Sequence, residues 1–265
     1  MGFIATWKAQ QAYKLHGKGD IEGARKLYEE AIAKGLDNPR FMLSYAILLI
    51  RSGEYQKAKD HLVKIQKMPG LTADQKVQLF IDYAACCFKL GDLDRGVDLL
   101  EKQYRRQATG TLYETLGYLY VEKYEPARKP VAAPAPEVAE GEEAPVVKTQ
   151  AELDAEWEEG KEKALAFLKE GVDYDEDDAI VLDNLAQFYY RVLGDKEEAK
   201  KWFDKAIEIK EGQIDTLWFL SRYDLDNGDT AAALAKLEKS LEGRFSVLNY
   251  HTKDEVQAEI DRLKK

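Results

Sequence analysis

A short segment that opens on a glycine and an acidic residue, and carries a small residue five positions later, returns along the whole chain. It runs Gly19 to Ala24, Gly53 to Ala58, Gly91 to Gly96, Gly194 to Ala199 and Gly228 to Ala233. An interrupted copy keeps only Ala164 and Leu168. Taken from one small residue to the next, the spacings are 34, 38, 68, 35 and 34. A fixed period of this size is the signature of stacked supersecondary units, each burying its apolar face against its neighbours. It constrains the fold more than anything else in the chain.

The residues around each copy say what the unit is. Glycine accepts positive φ without strain, so the Gly-Asp or Gly-Glu pair marks a tight turn between two helices. A small residue on the second helix lets a neighbouring helix approach closely, and an aromatic fills the gap beside it. Ala24-Tyr28-Ala31 and Ala199-Phe203-Ala206 show this pattern on second helices. Tyr113-Leu116-Gly117-Tyr120 and Leu182-Leu185-Ala186-Tyr189 show its counterpart on first helices. Helix starts agree. Asn38 precedes Pro39 as a cap before an N1 proline. Thr72 with Gln75, Thr149 with Glu152, and Thr252 with Glu255 have capping-box spacing.

On these residues the chain resembles the tetratricopeptide repeat family, in its bacterial scaffold form, over about residues 5–245 apart from one insert. Departures are Gly96 for the first alanine, Gln103 and Ser240 for the second, and the missing terminal proline in most copies. The resemblance implies an all-α, right-handed α-solenoid of about six helix-turn-helix repeats spanning 1–251. They are expected at about 5–38, 39–72, 73–109, 110–124 plus 151–178, 179–212 and 213–246. Residues 252–265, with Val256, Ile260 and Leu263, are expected to form a C-terminal capping helix.

The irregular stretch is 125–150, a proline-rich, acidic insert in repeat four. It holds five of the seven prolines, with Glu140, Glu142 and Glu143 between them. This composition cannot build a helix or a core and is expected to be disordered. It falls between the two helices of one repeat (about 112–124 and 152–171), so it is an overgrown turn. It serves as a tolerated loop or as a segment that docks on a partner.

Composition narrows the function. Residues 1–124 carry 19 Lys/Arg against 15 Asp/Glu, and residues 151–265 carry 17 against 29, within a net charge of −10. The acidic second half speaks against nucleic acid, which needs a basic face. Apolar runs such as Ala46 to Ile50 are short, far below a membrane span of about 20 residues, so no stable membrane insertion is expected. Met1 to Lys14 show no apolar block with a cleavage site, and adjacent Cys86 and Cys87 cannot staple a fold. Both point to the cytoplasm.

Chemistry is scarce. His16, His61 and His251 lie far apart, and no metal-ligand spacing, nucleophile elbow or phosphate loop occurs. The acidic run Asp173 to Asp178 lacks the glycine and final glutamate of a calcium loop. No enzyme, cofactor or metal is expected. What remains is a surface. The resemblance implies that first helices line a concave groove, with Tyr13, Leu43, Ile47, Ile50, Ile81, Phe88 and Tyr118 in the earlier repeats and Tyr190, Arg191, Trp218 and Arg222 in the later ones. Aromatic and Arg side chains are the usual interface anchors. A carboxylate clamp known in some family members is missing, since the corresponding positions are Ala9, Tyr13, Ser44, Gln78 and Asp82. The expected function is a non-catalytic scaffold for a protein or peptide, the alternative being a self-assembling, homo-oligomeric solenoid. Replacing Arg128 to Val147 by a short Gly/Ser turn is expected to leave helical content and melting temperature nearly unchanged by circular dichroism, because loop shortening changes closure entropy by only about 1–2 kcal/mol.

Overall fold

The computed structural model describes residues 2–134 and 147–265. Those residues form thirteen α-helices and no strand. In order they are α1 (Phe3–Gly17), α2 (Ile21–Ala33), α3 (Pro39–Arg51), α4 (Tyr55–Gln66), α5 (Ala73–Lys89), α6 (Leu93–Tyr104), α7 (Gly110–Lys123), α8 (Gln150–Tyr174), α9 (Ala179–Gln187), α10 (Lys196–Ile209), α11 (Ile214–Asp226), α12 (Thr230–Ser240) and α13 (Lys253–Leu263). They make two compact units. One comprises residues 1–112 with 245–249, the other residues 113–244 with 250–265.

Five recurring glycines turn the chain between paired helices. Gly19, Gly53, Gly91, Gly194 and Gly228 all have φ between 71° and 83°, where a β-carbon would be strained. The residue after each glycine closes the turn through its amide, as Asp20 N does onto Leu15 O at 3.0 Å. The acidic side chain that follows the glycine adds a second role. Asp20, Asp195 and Asp229 accept the amides of Gly23, Glu198 and Ala232 at 2.9, 3.0 and 2.9 Å, capping the next helix. Glu54 and Asp92 instead tie back to the preceding second helix, through Arg25 and through Lys59 at 3.6 Å. One dipeptide thus ends a helix and starts the next.

Every small residue of the repeat is sealed. Ala24, Ala58, Ala164, Ala199 and Ala233 have no accessible surface. Gly96 replaces alanine for a reason visible in the packing: a β-carbon there would lie 3.1 Å from the Ala84 carbonyl oxygen of α5. In the first unit the aromatic filler Tyr28 is fully buried, gives its hydroxyl to Ser44 at 2.8 Å, and meets Tyr45 at 5.6 Å. In the second, Phe203 stacks on Phe219 at 5.1 Å.

The fifth repeat departs from the pattern. Ala186 precedes Gly194 by eight residues, where Ala12, Ala46, Ala84 and Ser221 precede their glycines by seven. A π-helical turn over Phe188–Leu193 absorbs the extra residue. Its closing bond, Asp195 N to Tyr189 O at 2.9 Å, spans one residue more than in the other repeats.

Around the insert, helices α7 and α8 pair as the two halves of one repeat, and Trp157 of α8 meets Tyr124 at 5.2 Å. The flanks are structured, contrary to expectation for the whole stretch. Pro126–Arg128 form a 3-10 turn. Lys129 reaches Asp154 at 3.0 Å, and the Gln150 side chain bonds both Ala132 N at 2.9 Å and Pro130 O at 3.2 Å. Polar groups on the first turns of α8 hold this short strip by its backbone, which proline content alone does not reveal. The acidic patch Glu140, Glu142 and Glu143, and the expectation of disorder there, lie outside the described residues.

The sealed alanines generate a prediction. Ala199→Leu is expected to overpack the crossing by about 1–3 kcal/mol, lowering the melting temperature by several degrees. An unchanged melt, by calorimetry, would contradict the assigned register.

Candidate functional site

First helices of consecutive repeats lie side by side and present one face away from the second helices. In the first unit this inner face belongs to α1, α3 and α5. Tyr13 is exposed (42%), with the Arg40 guanidinium 4.9 Å above its ring. Ile47, Ile81 and Phe88 are half-buried. Leu43 and Ile50 differ from expectation, since both are buried. They sit on the flanks of α3, where α1 and α5 pack beside it, so they belong to the core rather than to an open groove.

Two polar residues of this face are also interior. Ser44 is occupied by the Tyr28 hydroxyl. Asp82 is buried; Gln78 donates to its Oδ1 at 2.8 Å, while its Oδ2 has no hydrogen-bond partner. Burial pushes its carboxyl from 3.8 up to about 7, against the Gln78 bond and the field of Arg51. Near neutrality it carries a proton much of the time and is no exposed anion. Cys86 and Cys87 on the same helix are sealed, and burial raises both thiols, Cys86 to about 12. Neither is a reactive thiolate.

In the second unit the equivalent face is built from α7, α9 with its π turn, and α11. Arg191 lies on the π turn and points into the unit. Its Nη2 bonds Glu122 at 2.7 Å, its Nε bonds Glu125 at 2.5 Å and its Nη1 bonds Gln187 at 2.9 Å, with the side chain 5% exposed. Burial opposes the charge, but the two carboxylates outweigh it and raise the guanidinium's pKa. Removing one member of such a set leaves uncompensated buried charge and costs about 3–5 kcal/mol. Beside it, Asp183 accepts from Thr216 at 2.5 Å and Gln187 at 2.7 Å. Its carboxyl is pushed up to about 6, by burial first. Tyr118, expected at the groove, is buried, and burial with the adjacent Glu122 raises its hydroxyl far above the usual range.

The chain's own C-terminal residues cover this face. The Arg191 guanidinium lies 4.1 Å from the centre of the Tyr250 ring, which stacks on Phe219 at 5.1 Å. Tyr250 N donates to Asp215 at 3.2 Å. The Trp218 and His251 rings are 3.9 Å apart, and Arg222 sits 4.4 Å over Trp218 while bonding Glu259 of α13 at 2.6 Å. Arg222 and, foremost, Arg262 hold the Glu259 carboxyl down to about 2. Tyr190 packs between Phe203, Phe219 and Tyr223. So Arg191, Trp218 and Arg222 do lie together on one face, and that face is occupied. The acids Glu122, Glu125 and Asp183 escape sequence reasoning. The eight-residue spacing before Gly194 is the available signal for the altered turn.

Elsewhere, among the described residues, no cluster of three His, Cys, Asp or Glu side chains is arranged to hold a metal. No helix there is long and apolar enough to cross a membrane.

Comparison with known proteins agrees with this architecture. Family models described as tetratricopeptide repeat match residues 15–69 and 180–213. No curated protein matches the chain in sequence. Among solved structures, a thermophilic repeat protein of Thermus thermophilus superposes with a TM-score of 0.61 at 17% identity, covering 86% of this chain and 99% of its own. MamA from Desulfovibrio magneticus gives 0.53 at 18% identity, covering 80% and 98%. The C-terminal part of a repeat-containing protein from Cytophaga hutchinsonii gives 0.52 at 17%, covering 88% and 78%. At these identities the likeness shows the fold.

The raised carboxyl of Asp82 has a consequence for stability. The folded state binds a proton more tightly than the unfolded chain, so this group's contribution declines as pH rises from about 4 to about 7. Asp82→Asn removes the dependence. In thermal melts the variant is expected to gain on the wild type steadily across that window, and a constant difference would contradict the assignment.

Proposed function

Since the chain is a tetratricopeptide-repeat protein, we propose that it is a non-catalytic binding scaffold that takes a protein or peptide on the inner face of its first unit. Proteins of this fold are in general protein-interaction scaffolds. The observation that carries the reading is the set of side chains left accessible on the first helices of the first unit. In the second unit Arg191, Trp218 and Arg222 are engaged by residues of the same chain. In the first unit, on whose core Val247 of the same chain packs, Tyr13 stays exposed under the Arg40 guanidinium and Ile47, Ile81 and Phe88 are half-buried. Partly accessible apolar residues of this kind mark interaction sites when they gather on one face. A protein or peptide offering aliphatic or aromatic side chains suits it. Absence of nucleic-acid binding and work in the reducing cytoplasm belong to the same reading, supported by the acidic balance and by two sealed, unpaired cysteines.

A second reading is self-assembly. It draws on Phe3, Ile4 and Trp7, which α1 exposes by 84%, 56% and 50%, and on the unequal charge of the units. The first carries 18 Lys/Arg against 13 Asp/Glu and the second 21 against 36. Sedimentation across concentration and salt separates the two readings: a monomer throughout removes self-assembly.

The scaffold reading is tested by crosslinking enrichment from native lysate with quantitative mass spectrometry. Tyr13→Ser with Ile47→Ser is expected to reduce capture of the specific partner by about tenfold or more, the scale of losing about 1.4 kcal/mol or more of binding, while the melting temperature moves by only a few degrees. An unchanged capture profile would count against this face.

A further inference from the structure

The second unit's inner face is furnished as a binding site, and the furniture is specific. It offers a guanidinium over which an aromatic ring lies, a carboxylate that accepts a backbone amide, a second aromatic surface, and a further guanidinium that meets a carboxylate. Tyr250, its own amide, His251 and Glu259 fill these four places in turn. The occupying tail is reached through a stretch without helix, whose Val247 packs on the first unit's core. Between α12, which ends at Ser240, and α13, which starts at Lys253, no helix forms. Helix α13 itself buries only Val256 and Ile260. The receiving side is held by bonds that do not involve the tail: Arg191 by Glu122, Glu125 and Gln187, and Asp183 by Thr216 and Gln187.

We propose that this face is a second peptide-binding site, for a partner segment with an aromatic residue followed by a short acidic helix, and that residues 250–263 are a displaceable ligand built into the chain. The tail reads Tyr250-His251, then a capping box at Thr252 and Glu255, then Glu259 nine residues after the tyrosine. A partner with the same order of groups meets the same four places. Because the tail is tethered, it competes at an effective concentration on the order of millimolar. An outside segment therefore gains the site only by higher affinity, or where the tail is loosened. This inference stands on the second unit alone. Its failure leaves the first unit's face untouched, and the reverse holds too.

The test uses the full chain and, as probe, a labelled synthetic peptide of residues 250–265. Tyr250→Ala with Glu259→Gln weakens the internal tail without touching its receptor. The double variant is expected to bind the probe at least about tenfold more tightly than the wild type, and adding Arg222→Ala should abolish that gain. Equal affinity in wild type and double variant overturns the proposal, and so does a gain that survives Arg222→Ala. A double variant that loses its helical content would show the tail to be part of the folding core, which also overturns it. Hydrogen exchange on the wild type gives an independent reading. The amides of α13 are expected to open well below the global unfolding free energy, ahead of those of α10. Exchange of α13 only on global unfolding contradicts the proposal. A dimer that forms without the peptide, at protein concentrations near the probe's Kd, reassigns the site from an outside segment to the tail of a second copy and overturns it in this form.

Discussion

Close approach of helices at a single small side chain is the constraint on which the rest of this structure depends. Ala24, Ala58, Ala164, Ala199 and Ala233 are sealed where helices cross, and at Gly96 a methyl group would come within 3.1 Å of the Ala84 carbonyl oxygen. With so little side chain between the backbones, the larger residues must fill the space beside the crossing, which is where Tyr28 and Phe203 lie. The glycine turn is equally strict, because the second helix must reverse at once to make that contact. Neither element stabilises much alone; a helix of about 11–15 residues is marginal in water without a packed face. Together they repeat the same solution, and it leaves only a few side chains of the first helices, such as Tyr13 and Ile47, accessible.

The two units use that face differently. In the first, apolar residues of intermediate exposure remain, and the buried acid Asp82 behind them is held partly neutral. In the second, a guanidinium is sunk among carboxylates at considerable desolvation cost and then covered by a tyrosine ring. Such a set confers little net stability, since buried ion pairs seldom outperform apolar packing. What it does provide is four chemically distinct contacts, all made here by the chain's own tail. Arg191 itself lies on the π turn that takes up the extra residue between Ala186 and Gly194.

The fold is legible in the sequence because its determinants are local and periodic. Positive-φ glycines, sealed alanines, the Thr72, Thr149 and Thr252 capping boxes and the capping helix all follow from spacing. The site is only partly legible, for identifiable reasons. Leu43, Ile50 and Tyr118 occupy groove positions in the repeat pattern, yet lateral packing buries them, and a period cannot distinguish a helix's open face from its flank. Ser44 and Asp82 look like surface polar residues until burial is known. The pairing of Arg191 with Glu122, 69 residues away, and the seating of Tyr250 beside both, depend on long-range geometry that no period records. The extra residue before Gly194 is readable in principle, but a spacing of 35 resembles ordinary variation between repeats.

Recognition at the inner faces of first helices is tested most directly by hydrogen exchange of the full chain with and without its captured partner. Protection concentrated in α1, α3 and α5, around Tyr13, Ile47, Ile81 and Phe88, is the predicted result. Protection confined to the second helices α2, α4 and α6 would contradict it.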